Sequence, residues 1–224
     1  KKESGMGAPG VISLFSLKTM PTALVNWWKL KLAKLALGRY RARLRTMTIA
    51  SQVKLTELQQ KVLELKKELN AIIVAHNYQR PEVQDIADLT GDSLELARMC
   101  VGTNAETIVF CGVRFMAETA AILNPSSTVL LSHPDAGCPL ADMIDVERLR
   151  QWKEKYPKAA VVAYVNTTAA VKAESDFCCT SANGAEVVNA VPNEEILFIP
   201  DQNLGHYVST KTSKKMILYP GFCD

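Results

Sequence analysis

The stretch STVLLSHPDAGC, residues 127–138, decides the fold, because it joins an apolar strand to a bend that ends in Cys138. A short apolar run bounded by Pro and Gly is typical of a buried strand that ends in a turn. The same pattern returns in KKMILYPGFC, residues 214–223, where Cys223 takes the position of Cys138, 85 residues later. Two such endings indicate an internal repeat.

The repeat extends outward from these two segments over most of the chain. In each copy an apolar run of strand length follows an amphipathic helix, and further strands alternate with helices. Such alternation predicts parallel sheets that are covered on both faces. The matching pairs are AIIVAHNY (71–78) with AVVAYVN (160–166), LTGDSLELARMCV (89–101) with CCTSANGAEVVNAV (178–191), and ETIVFCGVRF (106–115) with EILFIPDQNL (195–204).

We therefore predict an α/β fold made of pseudo-symmetric repeats of a three-stranded parallel αβα unit, with two of an expected three units present. A strand of each unit ends in a Pro-Gly bend with a cysteine. The predicted domains are a basic N-terminal extension at residues 1–52, a first repeat at residues 53–145 and a second repeat at residues 146–224.

Two helices are predicted early in the first repeat. The first ends at Asn70, and the second is opened by Pro81 and closed by Gly91. The first helix is amphipathic, because four apolar residues recur at helical spacing between charged ones. These residues are Leu55, Leu58, Val62 and Leu65.

Charge divides the chain of 224 residues, although its net charge is only +3. Residues 1–52 contain ten Lys or Arg and one acidic residue, which is about +9 there and about −6 in the remainder. Three interpretations of the extension stay open: an amphipathic helix at a membrane surface, a transit peptide, or residues upstream of a native start at Met47. We favour the last, in which the extension is disordered or not native.

The six cysteines bear on the compartment of the protein. The chain shows no apolar signal segment at its start, which favours reduced thiols or metal ligands over a disulfide framework. We therefore expect a cytoplasmic protein. No run of about twenty apolar residues occurs, so no transmembrane segment is predicted. We expect small-molecule partners and no nucleic acid.

Chemically useful side chains follow the strands of both copies. Ligands of parallel α/β folds gather outside the carboxyl ends of the strands. Two thiolates rarely complete a metal site, since zinc takes four ligands and iron–sulfur clusters take three or four. A third copy with a third cysteine, beyond residue 224, would complete one. The candidates are His76, Asn77, Tyr78 and Cys138 in the first copy, and Tyr164, Val165, Asn166 and Cys223 in the second.

Longer motifs accompany the two cysteine bends: IVAHNYQRPEVQDIADLTGDSLELAR, FMAETAAILNP, YVNTTAAVKAESD, TSANGAEVV and PDQNLGHYV. From about Leu55 to Cys223, with many uncommon residues in register, the chain resembles the quinolinate synthase family. The resemblance does not cover the basic extension. It implies three pseudo-symmetric αβα domains around a central 4Fe-4S cluster. The third domain, with its cysteine and its His-Pro-Glu motif, would be missing from this chain.

The resemblance implies a transferase of NAD biosynthesis that condenses iminosuccinate with dihydroxyacetone phosphate to quinolinate, with loss of phosphate and water. The implied cofactor is a 4Fe-4S cluster with one open iron that acts as a Lewis acid. Cys138, Cys223 and a cysteine beyond residue 224 would be its ligands. An aspartate oxidase or dehydrogenase would be a functional partner, and the fragment alone would be inactive.

The resemblance also implies roles for the residues at the strand ends. Proton transfer near neutral pH favours His76, Tyr78 and Tyr164 as catalytic residues. The hydroxyls of Ser93 and Ser181 suit carboxylate or phosphate oxygens, because both residues lie where helices begin. The implied substrate-binding residues are His76, Ser93, Tyr164, Val165, Asn166 and Ser181.

Two other functions stay open, namely another 4Fe-4S hydro-lyase and a non-catalytic iron–sulfur or redox-sensing protein. The first would need substrate-binding residues other than those of the HNY, YVN and TSAN motifs. We expect His133 and His206 to be structural, and Glu118 to lie on a helix face. The remaining cysteines are expected to be inert thiols, and they are Cys100, Cys111, Cys178 and Cys179.

Overall fold

The computed structural model describes residues 55–101 and 103–223, without the side chains at positions 94, 97 and 98. The basic extension at residues 1–52, including the suggested start at Met47, lies outside the described residues. None of the helices in the described ranges combines the length and the apolar character needed to cross a membrane.

Helices and strands alternate through two successive units. The first unit contains α1 (Glu57–Glu68), β1 (Ala71–His76), α2 (Pro81–Gln84), β2 (Leu89–Gly91), α3 (Ser93–Met99), β3 (Thr107–Cys111), α4 (Arg114–Leu123), β4 (Thr128–Leu131) and α5 (Pro139–Asp142). The second unit contains α6 (Val146–Lys155), β5 (Ala160–Tyr164), α7 (Ala169–Ala173), β6 (Phe177–Cys179), α8 (Gly184–Ala190), β7 (Glu195–Ile199), α9 (Gln202–Ser209) and β8 (Lys215–Leu218).

Each unit forms a parallel sheet, and the two sheets have the same topology. The strand order is β2-β1-β3-β4 in the first sheet and β6-β5-β7-β8 in the second. The register also matches, since His76 pairs with Gly91 in the first sheet and Tyr164 pairs with Cys179 in the second. The predicted α/β class is confirmed, and the sequence repeat corresponds to a repeated topology.

The number of strands differs from the prediction. Each sheet has four strands, so the three-stranded unit was wrong by one short edge strand, β2 or β6. The predicted helix from Pro81 to Gly91 was also wrong, because α2 ends at Gln84 and β2 follows. Strands of three residues are too short to show an alternating pattern, and backbone pairing with the central strand defines them instead.

The central strands of both sheets are buried. Val74 and Phe110 of the first sheet, and Val162 and Phe198 of the second, are fully buried. Parallel sheets of α/β folds are covered by helices on both faces, which is why these strands are continuous apolar runs. Polar side chains that serve chemistry are therefore left to the ends of the strands.

Helix α1 has clear start and stop signals. The Thr56 hydroxyl accepts the N–H of Gln59 at 3.2 Å, and the Gln59 side-chain oxygen accepts the N–H of Thr56 at 2.8 Å. This reciprocal pair is a capping box. The helix is followed by Asn70 at φ 44°, a left-handed conformation that Asn adopts more readily than most residues.

The side of α1 that contacts the sheet coincides only in part with the predicted apolar stripe. Gln59 is buried, and Val62 packs against the apolar cluster of β1 and β3. The exposed residues of the helix and its C-cap include Leu58, Leu65 and Leu69. The helix itself is confirmed, but two of its four predicted core-facing residues, Leu58 and Leu65, are at the surface.

An aspartate anchors the edge strand of each sheet to the central strand. The Asp88 carboxylate accepts the N–H of Ile73 at 2.7 Å, and the Asp176 carboxylate accepts the N–H of Val161 at 2.8 Å. In return, the carbonyl oxygens of Ile73 and Val161 accept the N–H groups of these aspartates at 2.8 and 3.0 Å. The same double hydrogen bond therefore positions β2 and β6.

We expect Asp176→Ala to lower the free energy of unfolding by about 1–3 kcal/mol, because the buried N–H of Val161 loses its acceptor. Asp176→Asn keeps a carbonyl oxygen at that place and should cost clearly less. Urea denaturation followed by circular dichroism measures both variants. Equal losses in the two variants would show that the hydrogen bond is not the cause.

Candidate active site

The predicted site residues of the two units occupy equivalent positions at the carboxyl ends of the strands. His76 ends β1, and Tyr164 ends β5. Ser93 and Ser181 each come two residues after an edge strand, β2 or β6. Ser93 begins α3 as predicted, but the prediction was wrong for Ser181, which lies three residues before α8. The repeat thus places a His–Ser pair in the first unit where the second unit has a Tyr–Ser pair.

His76 is held as a neutral imidazole with a defined tautomer. Its Nδ1 accepts the N–H of Tyr78 at 3.3 Å, which assigns the ring proton to Nε2. Nε2 lies 3.4 Å from the Ser93 hydroxyl. Burial lowers the pKa of His76 below 6.5, and the Asp92 carboxylate partly opposes this shift. His76 therefore presents an N–H donor at neutral pH.

Tyr164 is held as a neutral phenol. Burial is the main cause that raises its pKa, and the Asp201 carboxylate and the thiols of Cys179 and Cys223 raise it further. A hydrogen bond with the Ser181 side chain acts in the opposite direction. Because the net shift is upward, Tyr164 keeps its proton at neutral pH and can donate it.

Tyr78 lies beside His76 and is open to solvent on one side. Their ring centroids are 4.0 Å apart, and 53% of Tyr78 is exposed. Burial of the remainder raises the pKa of Tyr78, the backbone of Val113 opposes this shift by a hydrogen bond, and Cys138 adds to it. A tyrosine therefore lies within electrostatic range of the cysteine in each unit, Tyr78 of Cys138 and Tyr164 of Cys223.

The bend that carries Cys138 is fixed by Arg114. The Arg114 backbone N–H donates to the Ala136 carbonyl, and its guanidinium donates to the Pro134 carbonyl, both at 2.8 Å. His133 contributes an internal contact, since its Nδ1 accepts the N–H of Asp135 at 3.2 Å. Cys138 itself is half-buried at the N-cap position of α5.

The bend that carries Cys223 is anchored to the other end of α5. Met143 follows α5, its carbonyl accepts the Tyr219 hydroxyl at 2.7 Å, and its sulfur accepts the N–H of Phe222 at 3.3 Å. One turn of helix thus links Cys138 to the bend of Cys223. Met143 lies five residues after Cys138, a rise of about 7.5 Å at helical spacing, and it contacts Phe222, the neighbour of Cys223.

Gly221 is required for this second bend. Gly221 forms a bridge with Asp201, and its carbonyl accepts the N–H of Gln202 at 2.7 Å. A Cβ atom at Gly221 would lie 2.4 Å from the Pro200 carbonyl oxygen. The backbones approach each other too closely for any side chain at this position.

The two cysteines fit part of a metal site. Within the described ranges, no group of three or more His, Cys, Asp and Glu side chains is arranged to hold a metal ion. Cys138 is half-buried and Cys223 is exposed, so both thiols are accessible to a ligand at this edge. Thiolates are the protein ligands of iron–sulfur clusters, and these two would supply two of them.

The other cysteines have a different environment. Cys100, Cys111 and Cys179 are buried and Cys178 is half-buried. Burial raises the pKa of Cys100 to about 11 and raises the pKa of Cys111 and Cys179 as well. A thiol whose pKa is raised has little reactive thiolate at neutral pH. The burial of Cys100, Cys111 and Cys179 agrees with the expectation that they are inert thiols, whereas Cys178 is half-buried like Cys138.

The remaining predicted substrate residues belong to the loop after β5. The N–H of Val165 donates to the Cys179 carbonyl at 2.9 Å, so this amide is used by the sheet. The equivalent amide of the first unit, that of Asn77, donates to Gly91 at 3.1 Å. Asn166 is half-buried in the turn that follows, at the position equivalent to Tyr78.

The sequence of most of this chain matches a known protein family. The sequence model of the quinolinate synthetase A protein matches residues 60–224. The chain belongs to the quinolinate synthetase A family. The resemblance found in the sequence motifs is thereby confirmed at the level of the family.

Curated members of the family are similar over the same region. A quinolinate synthase of Methanoregula boonei is 61% identical over 166 residues, which cover 74% of this chain and 55% of that protein. The quinolinate synthase of a Dehalococcoides mccartyi strain is 59% identical over 163 residues, with coverages of 73% and 54%. Quinolinate synthase 2 of Methanosarcina acetivorans is 60% identical over 164 residues, with coverages of 73% and 53%. The chain spans about half the length of the curated relatives that it matches.

Two charged residues near the candidate site make contacts that were not predicted from the sequence. Glu118 was expected on a helix face, but its carboxylate accepts the N–H of Ala169 in the second unit at 2.7 Å. Lys172 on α7 is fully buried. A sequence signal existed for both, since each is a single charge within an apolar helical segment, FMAETAAIL or TTAAVKA.

We expect Gly221→Ala to lower the free energy of unfolding by about 1–3 kcal/mol, because the new Cβ overlaps the Pro200 carbonyl. Gly137→Ala is the matched control in the first bend, where a Cβ would lie 3.4 Å from its nearest neighbour, a side-chain oxygen of Asp142. This control should be nearly neutral in urea denaturation. Similar losses in both variants would contradict the close approach at Gly221.

We expect iodoacetamide to alkylate the folded chain first at Cys223 and then at Cys138, because both thiols are accessible. Cys100 and Cys179 should react only after unfolding, since burial raises their pKa and excludes the reagent. Peptide mass spectrometry over a time course measures each rate. Early labelling of Cys179, before Cys138, would contradict the assignment of the accessible pair.

Proposed function

We propose that this chain is part of a quinolinate synthase, which condenses iminosuccinate with dihydroxyacetone phosphate to quinolinate with loss of phosphate and water. The observation that carries the proposal is the link between Cys138 and the Cys223 bend through α5 and Met143. The His76–Ser93 and Tyr164–Ser181 pairs at the same strand ends, and membership in the quinolinate synthetase A family, support it.

Cys138 and Cys223 would hold two irons of a 4Fe-4S cluster, with a third cysteine from residues beyond this chain. When bound, such a cluster with one open iron supplies a Lewis acid for a substrate oxygen. The donor set supports this assignment, since α5 leads from the half-buried Cys138 to Met143, which contacts the bend of the exposed Cys223.

The two serines are suited to bind carboxylate or phosphate oxygens. Because the Nε2 proton of His76 points to the Ser93 oxygen, the Ser93 hydroxyl hydrogen is left to donate to a ligand. Ser181 has the equivalent place beside Tyr164. The pair would hold a dicarboxylate between the two units, with one serine at each end.

The proton donors follow from the direction of the pKa shifts. Tyr78 and Tyr164 have raised pKa values, so at neutral pH both phenols carry a proton for a departing oxygen or a developing enolate. The lowered pKa of His76 keeps its imidazole neutral. Asn166 offers a donor and an acceptor to an imine or a carbonyl group. Dehydration steps of the condensation would use these donors.

Two further assignments belong to this proposal. Iminosuccinate must be supplied by oxidation of aspartate, so an aspartate oxidase or dehydrogenase would act before this enzyme. Within the described part of the chain, none of the six cysteines belongs to a disulfide, which suits a reducing compartment such as the cytoplasm.

The test uses the complete protein that contains this chain, expressed from its full reading frame and reconstituted with iron and sulfide without air. We expect Cys138→Ala to abolish both the cluster absorbance and the formation of quinolinate, because one of the cluster thiolates is lost. Cys179→Ala, the matched control, should keep both, since that thiol is buried in the second unit.

Absorbance and electron paramagnetic resonance measure the cluster, and chromatography measures quinolinate. Equal loss of the cluster in the two variants would contradict the ligand assignment. A reconstituted cluster without any quinolinate from iminosuccinate and dihydroxyacetone phosphate would contradict the proposed activity.

A further inference from the structure

A carboxylate of the first unit binds the start of a helix in the second unit. Glu118 on α4 accepts the N–H of Ala169, the first residue of α7, at 2.7 Å. The Thr168 hydroxyl accepts the N–H of Val171 at 3.3 Å. The first turn of a helix has N–H groups without helical partners. In α7, one of these groups donates to a side chain of the first unit and another donates to a side chain of the second unit.

The opposite charge comes from the second unit and is fully buried. Lys172 has no exposed surface, and its ammonium donates to the Thr167 carbonyl. The same ammonium lies 5.3 Å from the centre of the Phe115 ring of α4, within the range of a cation–π interaction. Burial lowers the pKa of Lys172 to about 8, while Cys178 and Glu118 oppose this shift.

These contacts lead directly to the predicted substrate loop. The Thr167 hydroxyl donates to the Tyr164 carbonyl at 3.1 Å, and the Thr167 carbonyl is the acceptor for Lys172. Tyr164, Val165 and Asn166 therefore lie on a loop, residues 164–168, whose far end is tied to Lys172 and, through Ala169, to Glu118. Movement of α7 relative to α4 would move this loop.

The chemistry of the contact argues for more than adhesion between helices. A buried charge is costly even when it is paired, and apolar side chains of similar size often stabilise such a contact better. Burial raises the pKa of Glu118 and Asp142 adds to this shift, while the Ala169 N–H, Lys172 and Arg114 oppose it. The half-buried Glu118 and the buried Lys172 each make a directional hydrogen bond, to the Ala169 N–H and to the Thr167 carbonyl, whereas apolar contacts have no such direction.

We propose that Glu118 is a positioning residue, which together with Lys172 fixes the loop at residues 164–168 of the second unit against the first unit. We call these two contacts, Glu118 with Ala169 and Lys172 with Thr167, the clamp. The clamp sets the distance from Tyr164 and Asn166, on this loop, to His76 and Tyr78, on the first sheet. Its catalytic consequence rests on the proposed function, whereas its effect on the loop can be measured without any substrate.

Hydrogen exchange of the folded chain tests the clamp directly. Glu118→Ala should raise the exchange rate of the Ala169 amide and of the peptide covering residues 164–169 by roughly tenfold or more, since a charge-assisted hydrogen bond is lost. Glu118→Gln keeps an acceptor for the Ala169 N–H and should restore a large part of the protection. The matched control is Glu186→Gln, an exposed acid in the first turn of α8, which should leave exchange unchanged.

Exchange in the buried strands β5 and β7 separates a local effect from general destabilisation. We expect these strands to keep their protection in the Glu118 variants. Unchanged exchange at residues 164–169 in Glu118→Ala would overturn the proposal, and so would a uniform increase over the whole second unit. If Glu118→Ala does not fold, Glu118→Gln decides. A neutral amide oxygen is a weaker acceptor than a carboxylate, so exchange at residues 164–169 should remain measurably faster in Glu118→Gln than in Glu186→Gln, and equal exchange in the loop overturns the proposal.

Kinetics of the complete protein test the catalytic consequence. At unchanged cluster content, Glu118→Ala should lower kcat by roughly tenfold or more, because misplaced groups lose their alignment with the substrate. Glu118→Gln should recover part of this loss, and Glu186→Gln should have wild-type kcat and KM. A wild-type kcat in Glu118→Ala would overturn the positioning role. A wild-type protein that forms no quinolinate would contradict the proposed function instead, and the exchange result would still decide on the clamp.

Discussion

Parallel pairing of the strands is the constraint on which the rest of this structure depends. Every strand of a parallel sheet ends at the same edge, and its connection must return through a helix. The helices bury both faces of the two sheets, so the central strands carry apolar side chains such as Val74 and Phe198. Groups with chemical function are confined to the strand ends, where the bends of Cys138 and Cys223 follow β4 and β8.

Repetition of one topology gives two sets of equivalent positions, and the sequence fills them differently. The end of the central strand carries His76 in one unit and Tyr164 in the other, each beside a serine. Burial lowers the pKa of the histidine and raises the pKa of the tyrosine, so both are neutral at the same pH. The two halves of a ligand that lies between the units would therefore meet different donors in similar geometry.

The sequence predicts features that are local or repeated, and it fails where tertiary contacts decide. The equivalence of Cys138 and Cys223 was visible because both follow an apolar run and a Pro-Gly bend. The three-residue strands were missed because they are too short for an alternating pattern and are defined by backbone pairing with the central strand, next to the hydrogen bonds of Asp88 and Asp176. The periodicity of α1 predicted a helix, but whether Leu58 is covered depends on what packs there. Glu118 bonds to a residue 51 positions away, which no local pattern indicates.

The two units contact each other through groups that also lead to the strand ends. Met143 of the first unit holds the bend before Cys223, and Glu118 of the first unit holds the helix after the loop of Tyr164. Each contact ties one candidate group of the second unit to the first. A change in the relative position of the units would consequently displace a thiol and a phenol together. For this reason the clamp and the α5 contact are better described as parts of the site than as general packing between units.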